Sequence, residues 1–100
     1  MTSTQQQKHI ELIFERAKTL MLSKGNDYST EDRLKIFKAV GQTCSMHPAK
    51  VALVLATVKI HRMCNLLDQG KQVENESVDD TAIDFICYGI LTHAILTEPK

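Results

Sequence analysis

The sequence predicts an all-α protein, a small four-helix bundle with a C-terminal antiparallel helical hairpin, assembled as a homo-oligomer. Four stretches carry apolar residues at the three- and four-residue spacing of a helix face. Composition agrees, with 43% hydrophobic residues, no Trp, four Gly and two Pro in 100 residues. A chain of this length makes one domain, residues 1–100, with a polar N-terminal extension over 1–5, and its modest core favours oligomerisation.

The first helix is expected from about Gln5 to Ser23, with Ile10, Ile13, Phe14, Ala17, Leu20 and Met21 on one stripe. Gly25 stands where a left-handed C-terminal cap belongs. Ser29-Thr30-Glu31-Asp32 reads as an N-cap followed by acidic first-turn residues. A short second helix, about Thr30 to Val40, carries Leu34, Phe37 and Val40 and stops at Gly41.

Pro48 after His47 suits the first position of a third helix, which runs to about Gln69 and is closed by Gly70. Its 51–58 stretch is apolar nearly all round and marks a central helix or an oligomer interface. Ser77 with Asp80 opens the last helix, which ends near Thr97, before Pro99.

Charge and sorting signals narrow the function. The formal net charge is zero and there is no basic run, which argues against duplex nucleic-acid binding. A small anion needs only two or three placed cations. The N-terminus lacks a signal-peptide pattern, and an eight-residue apolar run is far short of the ~20 residues that span a bilayer. Cys44, Cys64 and Cys87 are odd in number and widely spaced, so reduced, mostly buried thiols in a cytoplasmic protein are expected.

The chemistry-bearing residues cluster in the hairpin. Glu76, Asp80 and Asp84 recur every four residues and continue into Tyr88 on an otherwise apolar helix. Lys59 and Arg62 follow the apolar stretch of the third helix, and the short 70–77 connection turns them toward those acids. One reading is a structural ion-pair network. The other is a site in which the cations hold a ligand phosphate, or the acids hold a divalent cation together with Asp79 and with Glu11 and Glu15 as a second pair, although these two also read as solvent-facing charges paired with Lys8 or Lys18. Lys24-Gly25-Asn26-Asp27-Tyr28-Ser29 forms a second candidate, an interhelical loop whose amides and Lys24 would receive an anion and whose Tyr28 would stack on a base. Turn chemistry accounts for its Gly, Asn and Asp equally well. Cys44-x-x-His47 and His61-x-x-Cys64 have zinc-like spacing, but fourteen helical residues separate the histidines by roughly 21 Å, too far for one ion within a chain. No nucleophile-and-base pattern or phosphate loop is present.

In order, Lys24-Gly25-Asn26-Asp27-Tyr28, Asp32-Arg33-Leu34 with Phe37, Lys59 with His61 and Arg62, and Asn75-Glu76-Ser77 with Asp80, Asp84 and Tyr88 resemble a family of small helical proteins common in bacteriophage genomes. The resemblance covers about Lys24 to Leu96 and implies a location in the cytoplasm of an infected bacterial host. Glu76-Ser77-Val78-Asp79 also looks like the Glu-x-x-Asp element of all-α nucleoside triphosphate pyrophosphohydrolases of the MazG and dimeric dUTPase type, which hold Mg²⁺. Their Glu-Glu-x-x-Glu cluster has no counterpart here, since Glu11 and Glu15 are spaced differently. In size, charge and lack of a catalytic pattern the chain resembles phage anti-defence sponges, which sequester cyclic or ADP-ribose-type signals. The expectation is therefore a homo-oligomeric protein that binds a nucleotide-like small molecule without turning it over. Its ligand-binding residues would be Lys24, Asp27, Tyr28, Lys59, Arg62, Glu76, Asp80, Asp84 and Tyr88. No catalytic residue or cofactor is expected, and Mg²⁺ enters only under the alternative of pyrophosphate cleavage. A structural protein without a ligand is the third reading.

Overall fold

The computed structural model describes residues 1–28, 32–70 and 76–99, apart from the side chains of residues 24–28 and of Glu76. Four helices follow in order: α1 (Ser3–Tyr28), α2 (Lys35–Thr43), α3 (Pro48–Asp68) and α4 (Glu76–Thr97). Val51 and Ala52, near the start of α3, share a cluster with Ile95 near the end of α4, whereas Lys59 meets Asp84 about two turns further along α3 and three turns back along α4. That order of contacts establishes the antiparallel hairpin. α1 lies against α4, and α2 against α3.

Caps explain most of the boundaries. The polar N-terminus is a capping box, with the Thr2 amide donating to Gln5 Oε1 at 2.8 Å and the Gln5 amide to Thr2 Oγ1 at 3.1 Å. The helix therefore begins inside the expected extension. At its other end α1 runs through Gly25 to Tyr28, so Gly25 is an interior residue rather than a cap, tolerated at about 1 kcal/mol. The expected loop at 24–28 is helical in backbone. The N-cap expected at Ser29, Thr30 and Glu31 lies outside the described residues, while Asp32 Oδ1 accepts the Leu34 amide at 2.9 Å.

α2 continues two residues past Gly41 and ends in a Schellman motif. The Met46 amide donates to the Gly41 carbonyl at 2.8 Å and the Ser45 amide to that of Gln42 at 3.4 Å. Ser45, not a glycine, takes the left-handed position at φ 55°. His47 caps α3, its Nδ1 accepting the Ala49 amide at 3.0 Å, and Pro48 follows at the first position as expected. Gly70, at φ 79°, lies just past the end of α3 in the closing position predicted for it.

The core is divided. Ala17, Ile83 and Cys87 form one cluster between α1 and α4, with Ile13, Leu20, Met21 and Ile86 packed against it. Phe37, Val51 and Ala52 form another between α2, α3 and α4, joined by Met46, Tyr88, Leu91 and Ile95. Ala17 is fully buried because its small side chain lets α1 approach α4 closely. Ile10 and Phe14 of the expected α1 stripe are instead exposed, since one neighbouring helix covers only a narrow arc. The thiols also differ from expectation: Cys87 is buried, whereas Cys44 and Cys64 are exposed and free.

Candidate functional site: a cavity between the two core clusters

α4 is the common wall of both clusters, and a cavity of about 240 Å³ lies between them. Leu20 and Met21 of α1, Phe37 and Val40 of α2, Val51 and Leu55 of α3, and Cys87 and Leu91 of α4 supply its apolar walls. Three side chains bring polar chemistry: Arg33 from the turn before α2, and Asp84 and Tyr88, four residues apart on α4. The mouth is apolar as well, with Ile36, Val40 and Leu55 each exposed to more than a third. A concave, mainly apolar space with a few converging polar groups is the usual form of a small-molecule site.

Asp84 is held by Lys59, with Nζ 3.1 Å from Oδ2 and about four-fifths of each side chain covered. The hairpin thus brings Lys59 to one of the three acids it was expected to face, and Lys59 compensates a carboxylate that would otherwise be costly at this depth. Arg62 does not share in this. Three residues turn a helix by about 300°, which carries Arg62 some 60° round from Lys59; it is exposed and makes no ion pair among the described residues.

The acidic stripe runs past two concavities. Tyr88 reaches the cavity and exposed Asp80 lines a second groove between α1 and α4, with Glu15, Arg16 and Thr19, while Asp84 stands between them and lines both. Asp79, adjacent to Asp80, is clamped by Arg16 through two bonds of 3.1 and 2.7 Å. Arg16 depresses the Asp79 carboxyl below its ordinary range by bonding to the charged form. The Glu76-x-x-Asp79 metal element therefore has one carboxylate engaged by a guanidinium. No three His, Cys, Asp or Glu side chains converge on a common metal position among the described residues. Glu11 and Glu15 are exposed.

The side chains of Lys24, Asp27, Tyr28 and Glu76 lie outside the described residues. Two participants were not singled out from the sequence. Arg33 was legible only as part of a motif with its neighbours, and Arg16 carried no local signal because its partner is 63 residues away. No family model, curated protein or solved structure matches this chain. No described helix is long and apolar enough to cross a membrane.

Proposed function

We propose that this protein binds a nucleotide-derived anion in the cavity between its two core clusters and holds it without converting it, acting as a homo-oligomer. The observation that carries the reading is the lining: apolar walls with an acid, a guanidinium and a phenol converging on about 240 Å³. That volume lies below the range of roughly 300–1,000 Å³ typical of drug-sized ligands, so a base or nucleoside would enter and phosphates would lie outside. Asp84 would accept from an amino or ribose hydroxyl group, Tyr88 would pack on the flat ring, and Arg33 would meet phosphate at the mouth. Lys59 would then act by fixing Asp84, a change from the direct phosphate contact expected of it. Sequestration, by analogy with phage anti-defence proteins, is the biological role that suits such a site.

A thermal-shift and dialysis series with nucleoside mono- and triphosphates, cyclic nucleotides and ADP-ribose, with and without Mg²⁺, tests this. A true ligand at ~100 times its dissociation constant adds ~2.7 kcal/mol of stability and is recovered intact from denatured complex. Leu55→Trp, which fills the mouth, removes that gain while the helical circular dichroism is kept. A flat series sinks the reading, and Mg²⁺-dependent product replaces it with pyrophosphate cleavage.

A further inference from the structure

The face of α3 opposite α4 is unusual for a molecular surface. Lys50, Val54, Thr57, His61, Cys64 and Asp68 alternate at four- and three-residue spacing and are all exposed. They form one straight seam at coiled-coil spacing, with Val54 and Cys64 as its apolar members and the charged residues at its two ends. Leu53 and Ile60 flank it on one side and Val58 on the other, exposed by 52%, 41% and 57%. Thr57 adds little polarity, because its hydroxyl donates to the Leu53 carbonyl at 2.8 Å and leaves the methyl for contact. No charged residue interrupts the seam between Lys50 and Asp68.

The geometry points to a second copy of this chain as the occupant, docked antiparallel along α3 with the two-fold axis at the level of Lys59. In that register Val54 faces the partner's Cys64, Thr57 faces the partner's His61, and Lys50 meets the partner's Asp68 at both ends. The seam is thus self-complementary in shape class and in charge, as an isologous interface requires. A parallel copy would instead place Lys50 against Lys50 and Asp68 against Asp68.

The surface area agrees. The chain exposes 7439 Å², against roughly 5,700 Å² expected of a monomer of its 11.3 kDa mass. An excess on the order of 1,700 Å², to which α1 contributes as well as α3, is of the size that each subunit of an obligate homodimer buries, roughly 1,000–2,500 Å². This inference rests on the self-association proposed above and not on the ligand.

Sedimentation and cysteine cross-linking test it on the full chain. Wild-type protein is expected at twice its 11.3 kDa mass or a multiple of that. With Cys44→Ser in place, Val54→Cys should give a disulfide-linked dimer on mild oxidation. Cys44→Ser alone should not, because the two Cys64 side chains sit about 15 Å apart along the seam. Lys50→Glu or Asp68→Lys alone should weaken the dimer on the order of tenfold, and the two together should restore it. A wild-type monomer overturns both the self-association and this face. Oligomers in which Cys64 links to Cys64, or in which the charge reversal brings no rescue, overturn the antiparallel α3 register and leave self-association standing. Neither outcome bears on the ligand series.

Discussion

Arg16 and Asp79 meet through two parallel N–H···O bonds across the α1–α4 contact, a fork geometry that also fixes how the helices are rotated. Both side chains are more than a third exposed, so the pair is screened by salt and water. Its signature is a pH dependence. The Asp79 carboxyl in the folded state titrates below its ordinary value of 3.8, so the pair contributes fully above that value and is lost as the pH falls through the lowered one. Asp32, held down chiefly by Lys38, behaves the same way. Asp79→Asn is therefore expected to flatten the acid limb of a stability–pH curve, measured by urea unfolding from pH 7 to 2. An acid limb as steep as that of wild type would show that the clamp does not form in solution. Lys38 bonds both Asp32 and Glu98 at 2.8 and 2.7 Å, and this ties the end of α4 to the start of α2. Its amine is raised, so that contribution is full below the ordinary lysine value and disappears as the pH rises through the raised one.

Among the elements, α2 shows how a local rule can be satisfied one turn away from where it is expected. The sequence places the stop at Gly41, yet Gly41 is the third residue from the end of the helix, and its role is close approach. A Cβ there would stand 2.7 Å from the Met46 carbonyl oxygen and 3.3 Å from the Pro48 nitrogen, both backbone atoms. Gly41→Ala should accordingly cost about 1–3 kcal/mol, as overpacking does in a rigid site. The left-handed residue is Ser45, where a side chain pays a steric penalty. Ser45→Gly should raise stability by about 0.5–1 kcal/mol with the fold unchanged, which thermal unfolding of the two variants would check. If Gly41→Ala is neutral and Ser45→Gly destabilises, the Schellman ending is wrong. The hairpin of α3 and α4 was more legible. A short connection compels antiparallel neighbours, and from that alone Lys59 could be placed opposite the acids Glu76, Asp80 and Asp84, of which the structure pairs it with Asp84. Arg62 could not, because its distance from the contact depends on a rotation of the helix that no short segment specifies.

For the whole molecule, the radius of gyration of 15.2 Å exceeds the roughly 13 Å of a compact chain of this length, and two small clusters take the place of one core. Leu12, Phe14 and Leu22 of α1 and Leu53, Val54 and Val58 of α3 are each more than half exposed. Under the self-association proposed above, the subunit gains stability on assembly, and its melting temperature should rise with protein concentration. Melting over a hundredfold range of concentration checks this, and a constant midpoint would mean that the subunit stands alone.

By itself the sequence determined the number and order of the helices, the antiparallel hairpin, the Pro48 start and Gly70 close of α3, and the likeness of Lys59 and Asp84 to partners. These follow from periodicity, caps and loop length, which act over a few residues or one tight connection. Only the tertiary structure decided that α1 runs on to Tyr28, that Arg16 clamps Asp79, that the acidic stripe passes a cavity and a groove with Asp84 lining both, and that α3 turns Leu53, Val54, Val58 and Ile60 outward. The physical reason is that helix rotation and docking are set by packing summed over the whole chain. A rotation of 100° per residue is enough to put Asp79 in the fork of Arg16 while its neighbour Asp80 opens onto the groove beside the same guanidinium.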